Sequence, residues 1–348
     1  MSLLTIAVIG AGLIGMTHID RALKNATVKL VGIADPSMAA ANSARAKGVR
    51  YFADYQDLLE QQKPRAVIVA TPNQTHAEIT IDCLAHGAAV LVEKPIADTL
   101  ADARRICEAS HAAKLPVLVG HQRRHNPIIR KAKTIIDAGT LGRPVSATVM
   151  STWRKPDDYF DVAWRRELGG GPILINLIHD IDLMRHLYGD ITTVQAMTSN
   201  AVREFEVEDT AVVTLRFRSG ALGTVTVSDS TVAPWTWDLS AGEAERFPRQ
   251  DVDAHFYSGT QASLTLPRLE LWRYRPDQGA AQGWHDPLTV ERTTLHIECP
   301  YAEQLRHFVA LVQGQETPVC SAGDGLRTLE ATLAVSQAAA QGTAITMS

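Results

Sequence analysis

Ile6-Ala7-Val8-Ile9-Gly10-Ala11-Gly12-Leu13-Ile14-Gly15 is the stretch that decides the fold. An apolar strand runs straight into G-x-G-x-x-G at the mouth of a helix. Each glycine has a physical job at this spacing: Gly10 allows the tight turn, Gly12 lets backbone approach a pyrophosphate, and Gly15 lets helix and strand pack closely. The phosphates then meet the free N–H groups and positive dipole end of the helix, at Leu13 and Ile14. The motif alone is weak evidence, and its context strengthens it. Residues 14–24 read as a helix, and a second apolar strand, 28–34, ends in Asp35, about twenty residues past Gly15. A carboxylate there accepts hydrogen bonds from both ribose hydroxyls of NAD and repels the 2′-phosphate of NADP. Pro36 and Ser37 follow without a basic residue to neutralise such a phosphate, so NAD is the expected cofactor. The competing reading is a glycine-rich turn of another α/β protein, with Asp35 capping the next helix; the combined spacing favours the nucleotide.

The alternation continues outward from this stretch. Residues 66–70 form a buried strand followed by Thr71-Pro72-Asn73, residues 89–92 one ending at Glu93-Lys94-Pro95, and 117–120 one leading into His121-Gln122. Helical patterns at 39–46, 54–60, up to about 86, and 98–114 separate them. Strand and helix in strict alternation predict a doubly wound parallel sheet, a Rossmann domain over residues 1–122. Residues 123–348 have another texture. The β-rich segments 145–151, 194–200, 211–217 and 222–228 come without an intervening helix for each, which predicts an α+β domain with a mostly antiparallel open sheet. Helices near 172–188 and 301–313 interrupt it, and an alanine-rich helix over 324–341 can pack back on either domain. A chain of 348 residues exceeds one comfortable core, so two tightly joined domains with a cleft between them are expected.

Hydrophobic content of 45% and charged content of 21% are those of a soluble globular protein. A net charge of −4 provides no footing on nucleic acid or an anionic membrane. No apolar run is long enough to span a bilayer, and the N-terminal one lacks the basic leader and cleavage site of a signal peptide. Cys83, Cys107, Cys299 and Cys320 are widely spaced and form no C-x-x-C. That pattern predicts reduced thiols, a cytoplasmic location and no metal site.

In an open α/β sheet, ligands bind beyond the carboxyl ends of the strands. The rule selects Thr71-Pro72-Asn73, Glu93-Lys94-Pro95 and Gly120-His121-Gln122-Arg123. A lysine at a strand end, before a proline that restricts its backbone, can be held to donate to a substrate oxygen; taken alone it is as readily a surface lysine. A second cluster follows Gly169-Gly170-Gly171. Pro172 suits the first turn of a helix, on which Asn176, His179 and Asp182 fall at i, i+3 and i+6, near one face. Histidine is matched to proton transfer near neutral pH, although a satisfied core histidine explains the same spacing.

Taken together, these segments resemble the Gfo/Idh/MocA oxidoreductases over almost the whole chain. The resemblance rests on Gly10/Gly12/Gly15, Ala70-Thr71-Pro72-Asn73 with His76, Glu93-Lys94-Pro95, and the run from Gly120 to Pro127. It continues through Trp164-Arg165 and the helix of Gly169-Gly170-Gly171 to His179 and Asp182. It implies an NAD-dependent dehydrogenase acting on a secondary hydroxyl or ketone of a sugar, cyclitol or related polyol. Lys94 is then expected to position the reacting oxygen, His179 to act as acid or base, and Asn176 and Asp182 to assist. The cofactor is expected on Gly10, Gly12, Leu13, Ile14, Gly15, Asp35, Thr71, Pro72, Asn73, His76, Glu93, Lys94 and Gln122. Arg124, Trp164 and Arg165 join Lys94, Asn176 and His179 at the substrate, and the second domain's sheet implies a homodimer or homotetramer. One departure stands out: many members carry an aspartate four residues before the helix histidine, where this chain has Ile175. Isoleucine cannot orient an imidazole, and the amide of Asn176 supplies no charge. A carboxylated substrate held by Arg123, Arg124, Arg154, Arg165 and Arg166 fits the same residues. A non-catalytic dinucleotide-binding sensor and NAD-assisted glycoside cleavage remain the alternatives.

Overall fold

The structure, a computed structural model, describes residues 3–275, 283–296 and 298–347. The chain opens with β1 (Leu4–Ile9), α1 (Leu13–Lys24), β2 (Val28–Ala34), α2 (Met38–Ala46), β3 (Tyr51–Phe52), α3 (Tyr55–Gln62) and β4 (Ala66–Val69). It goes on through α4 (His76–Ala85), β5 (Ala89–Glu93), α5 (Leu100–Ala113) and β6 (Val117–Gly120). These strands form one parallel sheet in the order β3-β2-β1-β4-β5-β6. β4 and β5 are buried at every residue, because parallel strands are covered by helices on both faces. Several helix starts are written in the sequence: Ser37 accepts from the Ala40 N–H, Asp54 from Gln56 and Thr99 from Asp102. α1 is different. Its N-cap is Gly12, and its first turn carries no acid, so no side chain caps its leading N–H groups.

The chain continues with α6 (Pro127–Asp137), β7 (Pro144–Thr152), α7 (Ile178–Tyr188), β8 (Ile191–Ser199), β9 (Thr210–Phe217) and β10 (Leu222–Ser228). There follow α8 (Trp237–Ser240), β11 (His255–Gly259), β12 (Ala262–Leu266), β13 (Glu270–Tyr274) and β14 (Leu288–Arg292). Last come α9 (Pro300–Val312), α10 (Ala322–Gln341) and β15 (Ile345–Thr346). The second sheet has the order β14-β13-β12-β11-β7-β10-β9-β8-β15. Every neighbouring pair in it is antiparallel except β7 with β10. Burial alternates along β9 and β10, so one face of this sheet builds a core and the other meets solvent. The core face carries Val149, Val213, Val225 and Tyr257, packed with Leu183 and Met184 of α7 and Val335 of α10.

The chain forms two compact units. One holds the residues through His125 together with Cys299–Leu329; the other holds Asn126–Glu298 together with the residues from Glu330 onward. Within the first unit, α9 places Leu305, Phe308 and Val309 in the same core as Ile6, Ile19 and Leu91. The α/β expectation, a parallel Rossmann sheet and a mostly antiparallel second sheet, stands. β3, α6 and β11–β14 escaped the sequence pattern. β3 is two residues long, and β11–β14 are five residues each, too short for alternation to register. Among the described residues no helix is long and apolar enough to cross a membrane. None of the four cysteines forms a disulfide.

Candidate active site

In the first unit the three glycines of the opening motif separate by what surrounds them. Gly10 has φ +91°, and a Cβ there would lie 2.4 Å from the Ala70 carbonyl oxygen. A Cβ on Gly15 would lie 2.0 Å from the Gly10 oxygen, whereas one on Gly12 would meet nothing within 4 Å. Gly10 and Gly15 are therefore packing glycines, and Gly12 borders open space in front of the uncapped start of α1. Beside it, Asp35 accepts from the Ala11 N–H at 2.7 Å and from the Ser37 N–H at 2.8 Å. Burial pushes this carboxyl up, the hydrogen bonds from Ser37 and Ala11 outweigh it, and the group lies below the usual carboxylate range. It is an ionised acceptor turned to the glycine loop, which fits a ribose diol and opposes a phosphate. Leu13, 70% exposed, and Ile14 open the helix.

The loops after β4 and β5 stand at the same carboxyl edge of the sheet. Thr71 Oγ1 accepts from Thr75 Oγ1 at 2.8 Å, which fixes Thr71-Pro72-Asn73. His76 lies beneath, 1% exposed, with Nδ1 2.8 Å from the Pro95 oxygen and Nε2 2.9 Å from the Thr71 oxygen. Burial pulls His76 below the usual histidine range, against those two carbonyls and the Glu93 charge. Glu93 is buried; its Oε1 lies 2.7 Å from His18 Nε2 and its Oε2 accepts from the Lys94 N–H at 3.2 Å. Burial raises this carboxyl, but the His18 hydrogen bond and the charges of His18 and Lys94 win, and it lies below its usual range. Lys94 is half-buried and precedes Pro95 through a cis bond. Gln122 and Arg124 are buried in a short turn, and Arg124 Nη1 donates to the Val319 oxygen at 2.7 Å.

In the second unit, Asn176 and His179 sit where a wide turn feeds α7. Residues Ile173–Leu177 form a π turn, in which the Ile178 N–H reaches the Ile173 carbonyl five residues back. A π turn interrupts the 3.6-residue period, so the expected i, i+3 spacing holds between His179 and Asp182 within α7 but not back to Asn176; such turns recur at functional sites. Asn176 is half-buried, and its Oδ1 is enclosed without a hydrogen-bond partner among the described residues. His179 is half-buried one turn later, and Asp182 is 1% exposed. Asp180 points the other way, 3.3 Å from His255 Nε2 of β11 in the core, and so ties α7 to the sheet. Glu208, unremarked in the sequence, accepts from the Ile173 N–H at 3.1 Å and leaves no room for a side chain at Gly171. Burial pushes its carboxyl up.

Trp164 is 51% exposed, and the Arg165 guanidinium lies 4.0 Å over the Tyr159 ring while donating to the Tyr159 oxygen at 2.6 Å. A further cluster was missed. Lys155, just past the end of β7, is buried 3.4 Å from Asp229, and Arg203 donates to Asp229 at 2.9 Å. Burial pulls the Lys155 ammonium below the usual lysine range, with Asp229 opposing. The signal was available: Lys155-Pro156, like Lys94-Pro95, is a lysine at a strand end before a proline. Arg154, Asp157, Phe160, Arg203, Phe205 and Ser230 line a cavity of about 360 Å³ in this unit.

Comparison with known proteins adds to this geometry. The profile described as "Oxidoreductase family, NAD-binding Rossmann fold" matches residues 4–121, and the "GFO/IDH/MocA C-terminal domain" matches residues 129–244. The myo-inositol 2-dehydrogenase of Thermotoga maritima is 28% identical, over 92% of this chain and 91% of its own. The scyllo-inositol 2-dehydrogenase (NAD(+)) of Bacillus subtilis is 26% identical, over 97% and 94%. The WlbA dehydrogenase of Bordetella pertussis, solved with NADH and UDP-GlcNAcA, superposes with a TM-score of 0.80 at 25% identity, over 100% of this chain and 99% of its own.

Proposed function

This chain belongs to the GFO/IDH/MocA family of NAD-binding oxidoreductases, and from that premise we propose that Lys94 and His179 serve one reaction: oxidation of a secondary hydroxyl on a cyclitol, sugar or related polyol, or the reverse reduction. The observation that carries the reading is the company Lys94 keeps. It directly follows β5 at the sheet edge that also carries open Gly12 and ionised Asp35. Lys94 donates a hydrogen bond to the reacting oxygen and stabilises the negative charge that grows there. His179 takes the hydroxyl proton on oxidation and returns it on reduction. NAD, when bound, supplies the hydride acceptor. The uncapped turn from Gly12 to Gly15 and the Asp35 carboxylate fit its pyrophosphate and ribose, and Asp35 favours it over NADP. Thr71, Pro72, Asn73 and Gln122 complete the cofactor's surroundings, with His76 and Glu93 shaping them from beneath. Ile175 stands where the aspartate would, Asn176 places an amide next to it on the turn that feeds α7, and Asp182 lies a turn beyond His179; Trp164, Arg165 and Arg124 belong to the substrate side.

The relatives named for inositols point to a cyclitol. A carboxylated sugar is the second substrate class, favoured by the cavity that Arg154 and Arg203 line and by the sugar acid bound to WlbA. The exposed face of the second sheet pairs Met197 with Val212 and carries Leu222 and Phe256 on other strands, and a homodimer or homotetramer through this sheet is part of the reading. Four cysteines outside disulfides suit the cytoplasm. The test is NADH formation from myo-inositol, scyllo-inositol, glucose and glucuronate, with Lys94→Ala beside the parent protein. Turnover is expected to fall by roughly 10²-fold or more in the variant. Near-normal turnover in Lys94→Ala removes Lys94 from the chemistry, and no NADH from any polyol or sugar acid favours a non-catalytic sensor.

A further inference from the structure

Lys94 is braced from both sides by buried histidines that belong to other parts of the first unit. On one side is Glu93, whose two oxygens divide their work: Oε1 meets His18 Nε2 at 2.7 Å, and Oε2 takes the Lys94 N–H at 3.2 Å. On the other is Pro95, whose carbonyl meets His76 Nδ1 at 2.8 Å. His18 rises from α1, the helix that begins at the cofactor glycines, and is 1% exposed. Tyr301 of α9 packs edge-on against its ring with centroids 5.5 Å apart. A Cβ on Gly120 of β6 would lie 2.9 Å from the Glu93 carboxyl carbon, so the carboxylate is walled in on that side too. A carboxylate enclosed in this way is costly unless it is paired and hydrogen-bonded. The fold has kept one directly beside Lys94.

We propose that the His18–Glu93 couple is a positioning device for Lys94, fixing its backbone against the carboxylate and holding its ammonium charged while tying it to the cofactor-binding helix. His18 and Glu93 are thus positioning residues, and the proposal rests on the reading of Lys94 given above. The couple resists two failures: drift of the lysine's backbone, and loss of its proton in a half-buried site. Besides Glu93, the titratable groups packed about this segment include His18 from α1, His76 from α4 and Tyr301 from α9.

The test compares His18→Leu, His18→Gln, Glu93→Gln and Lys94→Ala in the full chain. The first readout needs no substrate: the pH titration of the Lys94 resonance in reductively ¹³C-methylated protein, assigned by its loss in Lys94→Ala. Removing the buried negative charge in Glu93→Gln is expected to shift that titration to lower pH, whereas His18→Leu, which keeps the carboxylate, is expected to leave it at or above the parent position. In His18→Gln, whose amide can still donate to Glu93, it is expected to stay near the parent position. The second readout is kinetic, on the polyol of the panel turned over fastest. His18→Leu is expected to lower kcat on the order of 10-fold to 100-fold, since small displacements of a reacting group cost that much, with NADH affinity nearly unchanged and largely rescued by His18→Gln. If the Lys94 titration is the same in every soluble variant, the proposal is overturned. It is equally overturned if Leu and Gln at position 18 weaken NADH binding and thermal stability alike, the mark of a structural role. If Lys94→Ala keeps full turnover, the catalytic reading fails while a shifted titration still upholds the positioning.

Discussion

The two units hold their candidate residues by different means. In the first, Gly10, Asp35, Thr71 and Lys94 stand at or just beyond the carboxyl ends of parallel strands, and printed spacing in the sequence translates directly into one edge of one sheet. In the second, Asn176 and His179 ride on a helix whose first turn is a π turn, and spacing along the chain no longer tells which residues share a face. Strand ends are robust to small changes of twist; helix faces move with every residue added to a turn. The first arrangement tolerates a generic cofactor site, and the second leaves room to vary the chemistry.

Substitutions can break or sharpen this contrast. The largest effect is expected from His179→Ala: turnover lower by about 10²- to 10⁴-fold, with thermal unfolding within a few degrees of the parent protein. Full turnover there, alongside a crippled Lys94→Ala, would confine the chemistry to the first unit. Next is Gly15→Ala. The new methyl meets the Gly10 carbonyl at 2.0 Å, backbone against backbone, so stability is expected to drop by about 3 kcal/mol or more; chemical denaturation measures it. Gly12→Ala meets no protein atom within 4 Å. Its thermal unfolding should be unchanged while the NADH dissociation constant rises about tenfold, or ~1.4 kcal/mol. Identical behaviour of the two alanine variants would erase the division into packing and binding glycines.

The smallest effect concerns pH. Asp35 is held below the usual carboxylate range by its hydrogen bonds, so its contribution to stability is present above an unfolded-state value of about 3.9. That contribution is lost as the pH falls through the lower folded-state value. The stability difference between the parent protein and Asp35→Asn should therefore be flat near neutrality and shrink under acid, as urea melts across pH would record. A difference that grows toward acid would mean that the Ser37 and Ala11 hydrogen bonds do not favour the charged form.

Much of the first unit was legible because its signals are local. β4 and β5 are unbroken apolar runs, Ser37, Asp54 and Thr99 announce their helices, and Asp35 follows its strand directly. The NAD site and the doubly wound sheet could be read from those. What could not be read is pairing at a distance. His18 and Glu93 are 75 residues apart, and nothing near either announces the other. The π turn was hidden for another reason: Ile173–Leu177 is an ordinary apolar helical pattern, and the contacts at its two sides, Glu208 with the Ile173 N–H and Asp180 with His255, come from residues distant in the chain. Lys155 falls outside the strand-end rule, which holds for open parallel α/β sheets, because β7 belongs to a mostly antiparallel one.

α9 has a consequence for how this protein comes into being. Leu305 and Phe308 are 1% and 0% exposed in the core that also contains Ile6 and Ile19. During synthesis, then, the parallel strands of the first unit are made well before α9. All six are on hand once Gly120 has been made, but the helix that closes their core arrives only after the intervening second sheet. An amino-terminal fragment ending at residue 125 would present that bare surface to chaperones or to itself. The order of translation thereby makes closure of this core contingent on residues made long after β6.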